Sequence, residues 1–214
     1  MSVLAINGSP RKEWNTATLL NKTLEGAASQ GQEIELIHLY DLDFRGCKSC
    51  FACKKRGGKS YGRCAAKDSL TPVLEKVQEA NALILGSPLY FGSVTGEMKS
   101  FIERLLFPYL TYTDPPGTLF PRKIKTGFIY TMNATEQIMQ VLGWDKQLEF
   151  CRHMLIMIFG HSEPLFCFDT YQFKDYSKVV ADRFNPEEKA RQRREVFPLD
   201  CKKAFDMGVR FAKA

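Results

Sequence analysis

The stretch Ser2-Val3-Leu4-Ala5-Ile6-Asn7-Gly8-Ser9-Pro10-Arg11-Lys12-Glu13-Trp14-Asn15-Thr16 passes from a continuous apolar run into a short polar loop, and Thr16 to Gln30 then carries apolar residues at near-helical spacing up to Gly31. That order is strand, loop, helix. The first amides of such a helix have no partner within it and point at whatever lies above the loop, which makes the loop an anion site. Ser9, Asn15, Thr16 and Thr18, with Ala17 among them, add neutral donors and open backbone, and Arg11 offers a charge-assisted contact to a dianionic phosphate. The same residues admit a plainer reading, in which Asn15 or Thr16 caps the helix and Arg11 and Lys12 are solvated. The loop has neither the GxGxxG pattern nor a Gly-Lys-Ser/Thr ending, which speaks against a Rossmann dehydrogenase and a P-loop NTPase.

Outward from this loop, strand and helix patterns alternate. Further strands are expected at Glu33 to Leu39, Ala82 to Gly86, Lys125 to Thr131 and Leu165 to Phe168. Helices are expected at Leu70 to Ala80, Gly96 to Leu106 with its Met98, Phe101, Ile102 and Leu105 stripe, Thr135 to about Phe159, and Cys201 to Ala212. The alternation implies an α/β fold, a three-layer doubly wound sandwich around a central parallel five-stranded sheet in a single domain spanning 1–214. Ligands of such sheets bind outside the carboxyl ends of the strands, so the loops after residues 6, 86 and 131 are expected in one crevice. Two segments break the pattern: a cysteine-containing insertion at about 45–68, and a charged stretch at about 174–198 read as a surface excursion or subunit-contact arm.

The 214 residues suffice for a hydrophobic core without disulfide staples. No apolar run approaches the roughly 18 residues of a membrane helix, and MSVLAIN shows no basic leader or long apolar signal, so no membrane association and a cytoplasmic location are expected. The net charge of +6 suits several anionic partners, but its basic clusters lack interleaved aromatics, and nucleic acid is not expected. Cys47, Cys50 and Cys53 form CxxCxxC, and Cys64 follows after ten residues rich in glycine and lysine. Four thiolates suit an iron-sulfur cluster, with Lys48, Lys54, Lys55 and Arg56 placed to offset its charge; structural or redox-active thiols and zinc are the alternatives. Cys151, Cys167 and Cys201 read as small core residues. No hydrolytic triad is legible.

Asn7-Gly8-Ser9-Pro10-Arg11-Lys12 followed by Asn15-Thr16, then GCKSCFACK, CAAKDSL, GSPLYFGSVTGEMKSFIERL and DTYQFKDYSK, resembles in this order the NADPH-dependent FMN reductase and iron-sulfur flavoprotein group. The resemblance implies a flavodoxin-like fold with FMN phosphate on the first loop and the isoalloxazine ring on Pro88, Leu89, Tyr90, Phe91 and Gly92. Thr131, Met132 and Asn133 would line the other side of the flavin. Adjacent residues of an extended segment point oppositely, so one of Tyr90 and Phe91 is expected to face the ring. The implied activity is NAD(P)H oxidation through FMN to a small acceptor such as a quinone or another flavin, with no catalytic side chain required. Two alternatives stand beside it: an electron carrier reduced by ferredoxin, with a 4Fe-4S cluster on Cys47, Cys50, Cys53 and Cys64, and a flavin-free metal- or redox-sensing module. The resemblance also implies a homodimer or homotetramer.

Overall fold

Val3, Leu4, Ala5 and Ile6 are all buried because strand β1 (Ser2–Asn7) lies inside the sheet, paired in parallel with β2 (Glu33–His38) on one side and β3 (Ala82–Tyr90) on the other. This is seen in a computed structural model that describes residues 2–213. Beyond β3 the sheet continues in parallel through β5 (Ile124–Thr131) to β6 (Gly160–Cys167), while the two-residue β4 (Ser93–Val94) folds back antiparallel on the end of β3. With that hairpin strand set aside, the order β2-β1-β3-β5-β6 is that of the flavodoxin-like doubly wound sheet, whose switch point lies between β1 and β3.

The pleat divides the strand residues between two cores. Leu4, Ile6, Leu83 and Leu85 face α2 (Thr71–Glu79), α3 (Gly96–Tyr109) and α5 (Trp144–Phe159); Val3, Ala5, Ala82 and Ile84 face α1 (Asn15–Ala28) and α7 (Phe197–Ala212). Two glycines let α1 and α7 approach at backbone distance. A Cβ at Gly208 would fall 1.8 Å from the Thr23 carbonyl oxygen, and one at Gly26 would fall 2.1 Å from that of Phe205.

Three expectations need correction. The last strand begins at Gly160 rather than Leu165: β6 is an edge strand paired only with β5, and its polar start, Gly-His-Ser-Glu-Pro, hides the strand pattern. The helix expected from Thr135 to Phe159 is two, α4 (Glu136–Val141) and α5, parted where Gly143 takes a positive φ of 69°. The charged stretch 174–198 contains a regular helix, α6 (Pro186–Glu195), and α7 already starts at Phe197. Asn185 caps α6 by accepting hydrogen bonds from the amides of Glu187 and Glu188, with Pro186 in the first turn and Arg193 and Arg194 in the last. Because α6 is polar nearly all round, it carries no apolar stripe by which to be read.

Candidate functional site

The first loop is fixed by its own side chains. Asn7 Oδ1 accepts from the Ser9 amide at 2.9 Å, Ser9 Oγ accepts from the Arg11 amide at 3.2 Å, and the Gly8 amide donates to the Gly86 carbonyl of β3 at 2.8 Å. A Cβ on Gly8 would stand 2.8 Å from that of Met98, so a side chain there would force the loop off the sheet. Helix α1 starts with Trp14 as N-cap, no capping side chain and no acidic residue in its first turn. The capping reading of Asn15 and Thr16 therefore does not hold. Asn15 Nδ2 donates to the Tyr171 carbonyl at 2.8 Å while its Oδ1 accepts from Arg193, and Thr16 shares a 2.8 Å hydroxyl hydrogen bond with Thr131. With no capping side chain, the first amides of this helix have no partner within it.

The second segment is less a loop than a strand end. Through Tyr90 it pairs with β4, and Phe91 and Gly92 form the tip with φ of 52° and 79°, the signature of a tight hairpin turn with both central residues left-handed. Gly92 is needed there twice over, since a Cβ would also meet the Trp144 ring at 2.6 Å. Phe91 is fully exposed at the tip, whereas Tyr90 faces the crevice. Thr95, the N-cap of α3, donates from its hydroxyl to the Gly8 carbonyl at 2.7 Å and from its amide to Ser87 Oγ at 3.1 Å, locking this segment to the first loop.

Ser9, Arg11, Asn15 and Thr16, with Pro88, Leu89 and Tyr90 and with Thr131, Met132 and Asn133, line one recess of about 90 Å³ at the carboxyl edge of the sheet. Ala17, Thr18, Phe91 and Gly92 are not part of its lining, and the Thr18 hydroxyl is bonded to the Trp14 carbonyl at 2.9 Å. Three residues absent from the expectation, Trp14, Thr170 and Gln172, complete the wall. Thr170 and Gln172 belong to a segment that closes over the first loop: Arg11 donates to the Gln172 carbonyl at 2.8 Å, Trp14 Nε1 to that of Tyr171 at 3.0 Å, and Asn133 Nδ2 to Gln172 Oε1 at 3.0 Å. Behind it, the buried Lys189 of α6 bonds to both Asn133 and Asp169. In the sequence alone, DTYQ carries resemblance without a role and Lys189 is one charge in a charged run. Burial first and a hydrogen bond to Glu97 next push the Tyr40 phenol up to about 12.

A second cavity, of about 440 Å³, is lined by Cys47, Cys50, Cys53 and Cys64, all free thiols. The ten residues between Cys53 and Cys64 do not hold these two apart, because the Gly62 amide donates to the Cys53 carbonyl at 3.0 Å and pinches the loop closed at its base. Among the described residues no three His, Cys, Asp or Glu side chains converge on a single metal position; the thiols ring the cavity instead. Burial pushes the Cys53 thiol up. Of the lysines and arginine expected to offset a cluster, only Lys48 lines the cavity, and Lys54 is turned away to bond the carbonyls of Phe107, Pro108 and Leu110 at the end of α3. Arg45, Lys67 and Arg104, cations the sequence did not single out, also line it, and Arg104 is bonded to Cys64. Burial opposes its charge, but hydrogen bonds to Asp68 and Cys64 outweigh that and hold the guanidinium above its ordinary value.

The profile of the NADPH-dependent FMN reductase family matches residues 1–145. An iron-sulfur flavoprotein of Archaeoglobus fulgidus is 48% identical over 104 residues, covering 49% of this chain and 48% of that protein. Another, of Methanocaldococcus jannaschii, is 39% identical over 104 residues, covering 49% and 51%. The chain thus spans about half the length of these curated relatives. Among solved structures, an NAD(P)H:quinone oxidoreductase from Methanothermobacter marburgensis aligns over 98% of both chains with a TM-score of 0.67 at 16% identity. An FMN-dependent NADH-azoreductase from Bacillus anthracis, in complex with FMN, aligns over the whole of both chains with the same TM-score at 14% identity. These two likenesses show the fold.

Proposed function

Because this chain belongs to the NADPH-dependent FMN reductase family, we propose that it is a flavin-dependent oxidoreductase that holds FMN in the three-loop crevice, takes electrons from NADPH or NADH, and passes them to a small acceptor such as a quinone. The observation that carries this reading is the recess itself. Three strand ends, far apart in sequence, bring hydroxyl, amide and guanidinium donors to the uncapped start of α1. At about 90 Å³ the recess is well below the ~300 Å³ or more of a pocket that encloses a whole ligand, so it suits part of the flavin, with the remainder lying outside it.

Ser9, Asn15, Thr16 and Arg11 would grip the phosphate, with the Ala17 amide behind it; the amide and hydroxyl of Thr18 both donate to the Trp14 carbonyl instead. Pro88, Leu89 and Tyr90 would present one flat face to the ring, Phe91 and Gly92 would shape the turn that holds them there, and Thr131, Met132 and Asn133 would offer polar groups to its edge. When bound, FMN supplies hydride acceptance from a nicotinamide and electron transfer to the acceptor. The chain binds, orients and limits water access; no side-chain acid or base is assigned. An anaerobic stopped-flow trace tests this. Rapid loss of flavin absorbance on mixing with NADPH or NADH is expected, and reduction by neither would sink the reading.

The cysteine cavity favours a second reading, in which the chain also carries a 4Fe-4S cluster and exchanges electrons with ferredoxin. A cubane cluster asks one thiolate of each of four irons, so its ligands stand around a cavity, as Cys47, Cys50, Cys53 and Cys64 do here. Iron and sulfide in cluster proportion in anaerobically purified protein, with salt-sensitive reduction by ferredoxin, support it. Protein without iron and with these thiols titratable counts against it.

A further inference from the structure

Arg104 is among the largest fully buried side chains of the protein, with a side-chain exposure of 1%. A guanidinium taken out of water is costly unless its donors are met by good partners. Here they are, and every partner lies in the cysteine segment. Nε donates to Cys64 Sγ at 3.3 Å, one terminal nitrogen to the Arg45 carbonyl at 3.1 Å and to the Asp68 carboxylate, and the other to the Ala66 carbonyl at 3.4 Å. The preceding residue completes the grip: Glu103 Oε2 accepts from the Cys47 amide at 3.2 Å. Two consecutive residues of α3 thus hold the first and last cysteines of the set from beneath, while the 53–62 pinch holds the middle.

We infer that Arg104 is the positioning residue of the cysteine site, seating Cys64 across the cavity from Cys47, Cys50 and Cys53 and donating a hydrogen bond to its sulfur when that sulfur ligates iron. The inference rests on the cluster reading above. Its consequence is electrical as well as structural. A hydrogen bond to a ligand sulfur stabilises the more negative, reduced cluster, so it raises the reduction potential. A residue that only filled space or tied down the loop would, when replaced, admit solvent and move the potential up, whereas loss of the hydrogen bond moves it down.

The test compares the anaerobically purified wild type with Arg104→Lys, which keeps a positive charge but loses the Nε–H donor. Iron and sulfide, FMN content, the midpoint potential of the cluster and the rate of cluster loss to a chelator are measured on both. The expected result is unchanged FMN content, a lower midpoint potential and cluster loss faster by about tenfold. Equal potential and equal loss rate in the two proteins, or a higher potential in the variant, overturn the inference. Wild-type protein without iron or sulfide overturns the cluster reading on which it stands, and is told apart at the first assay. Should the variant fail to fold, the wild type labelled with ¹⁵N-arginine still decides: the reduced cluster is expected to show a hyperfine coupling to an arginine nitrogen, and none would refute the contact.

Discussion

Arg11 lines the recess and is exposed, with its guanidinium 4.9 Å from the Trp14 ring centre and one nitrogen on the Gln172 carbonyl. It opens no core when removed. Arg11→Ala is therefore expected to weaken FMN binding by about tenfold or more, the worth of one charge-assisted hydrogen bond, with the melting temperature of the cofactor-free protein unchanged. Fluorescence titration and a thermal melt check the two halves of that statement. At this scale the meeting of Ser9, Arg11, Asn15 and Thr16 in one recess was legible, because they stand in a single polar loop that follows an apolar strand. What was not legible were direction and partner. Sequence alone could not say that Tyr90 faces the crevice while Phe91 sits at a turn with positive φ, nor that Asn15 answers to Tyr171 and Arg193 rather than to its own helix.

Among the elements, the apolar strands and the striped helices were readable because burial writes a period into them. Helix α6 was not, since its place is secured by a few polar contacts rather than by a stripe. Lys189 is the chief of these, 4% exposed and paired with Asp169 and Asn133. Lys189→Met would leave the partly buried Asp169 carboxylate without its cation, at a cost of about 2 kcal/mol, or roughly 4–8 °C in melting temperature for a domain of this size. The α1 and α7 pair makes a sharper prediction. Gly208→Ala would place a methyl against the Thr23 carbonyl oxygen, which is backbone and cannot rotate aside, so the two helices must separate. The expected loss is about 3 kcal/mol or more, read as a lower denaturation midpoint. An unchanged midpoint would mean that the helices do not pack at this distance.

Across the whole molecule, helix α3 connects the two candidate centres. Its N-cap, Thr95, is bonded to the Gly8 carbonyl of the first loop, and Arg104, nine residues on, is bonded to Cys64. At 1.5 Å per residue that is a rise of roughly 14 Å along one rigid element. The fold class and the meeting of three loops could be anticipated, because alternating strands and helices admit few arrangements. The cysteine cavity could not, since its shape depends on a long-range arginine and on a loop pinch that spacing does not reveal. Among the described residues no helix is long and apolar enough to cross a membrane. The account's central claim is that the loop from Asn7 to Thr18 holds the phosphate of FMN, and calorimetric titration of the cofactor-free protein with FMN and with riboflavin tests it most directly. FMN is expected to bind at least about tenfold more tightly, with the difference shrinking in Arg11→Ala; equal binding of the two flavins, or binding of neither, would contradict it.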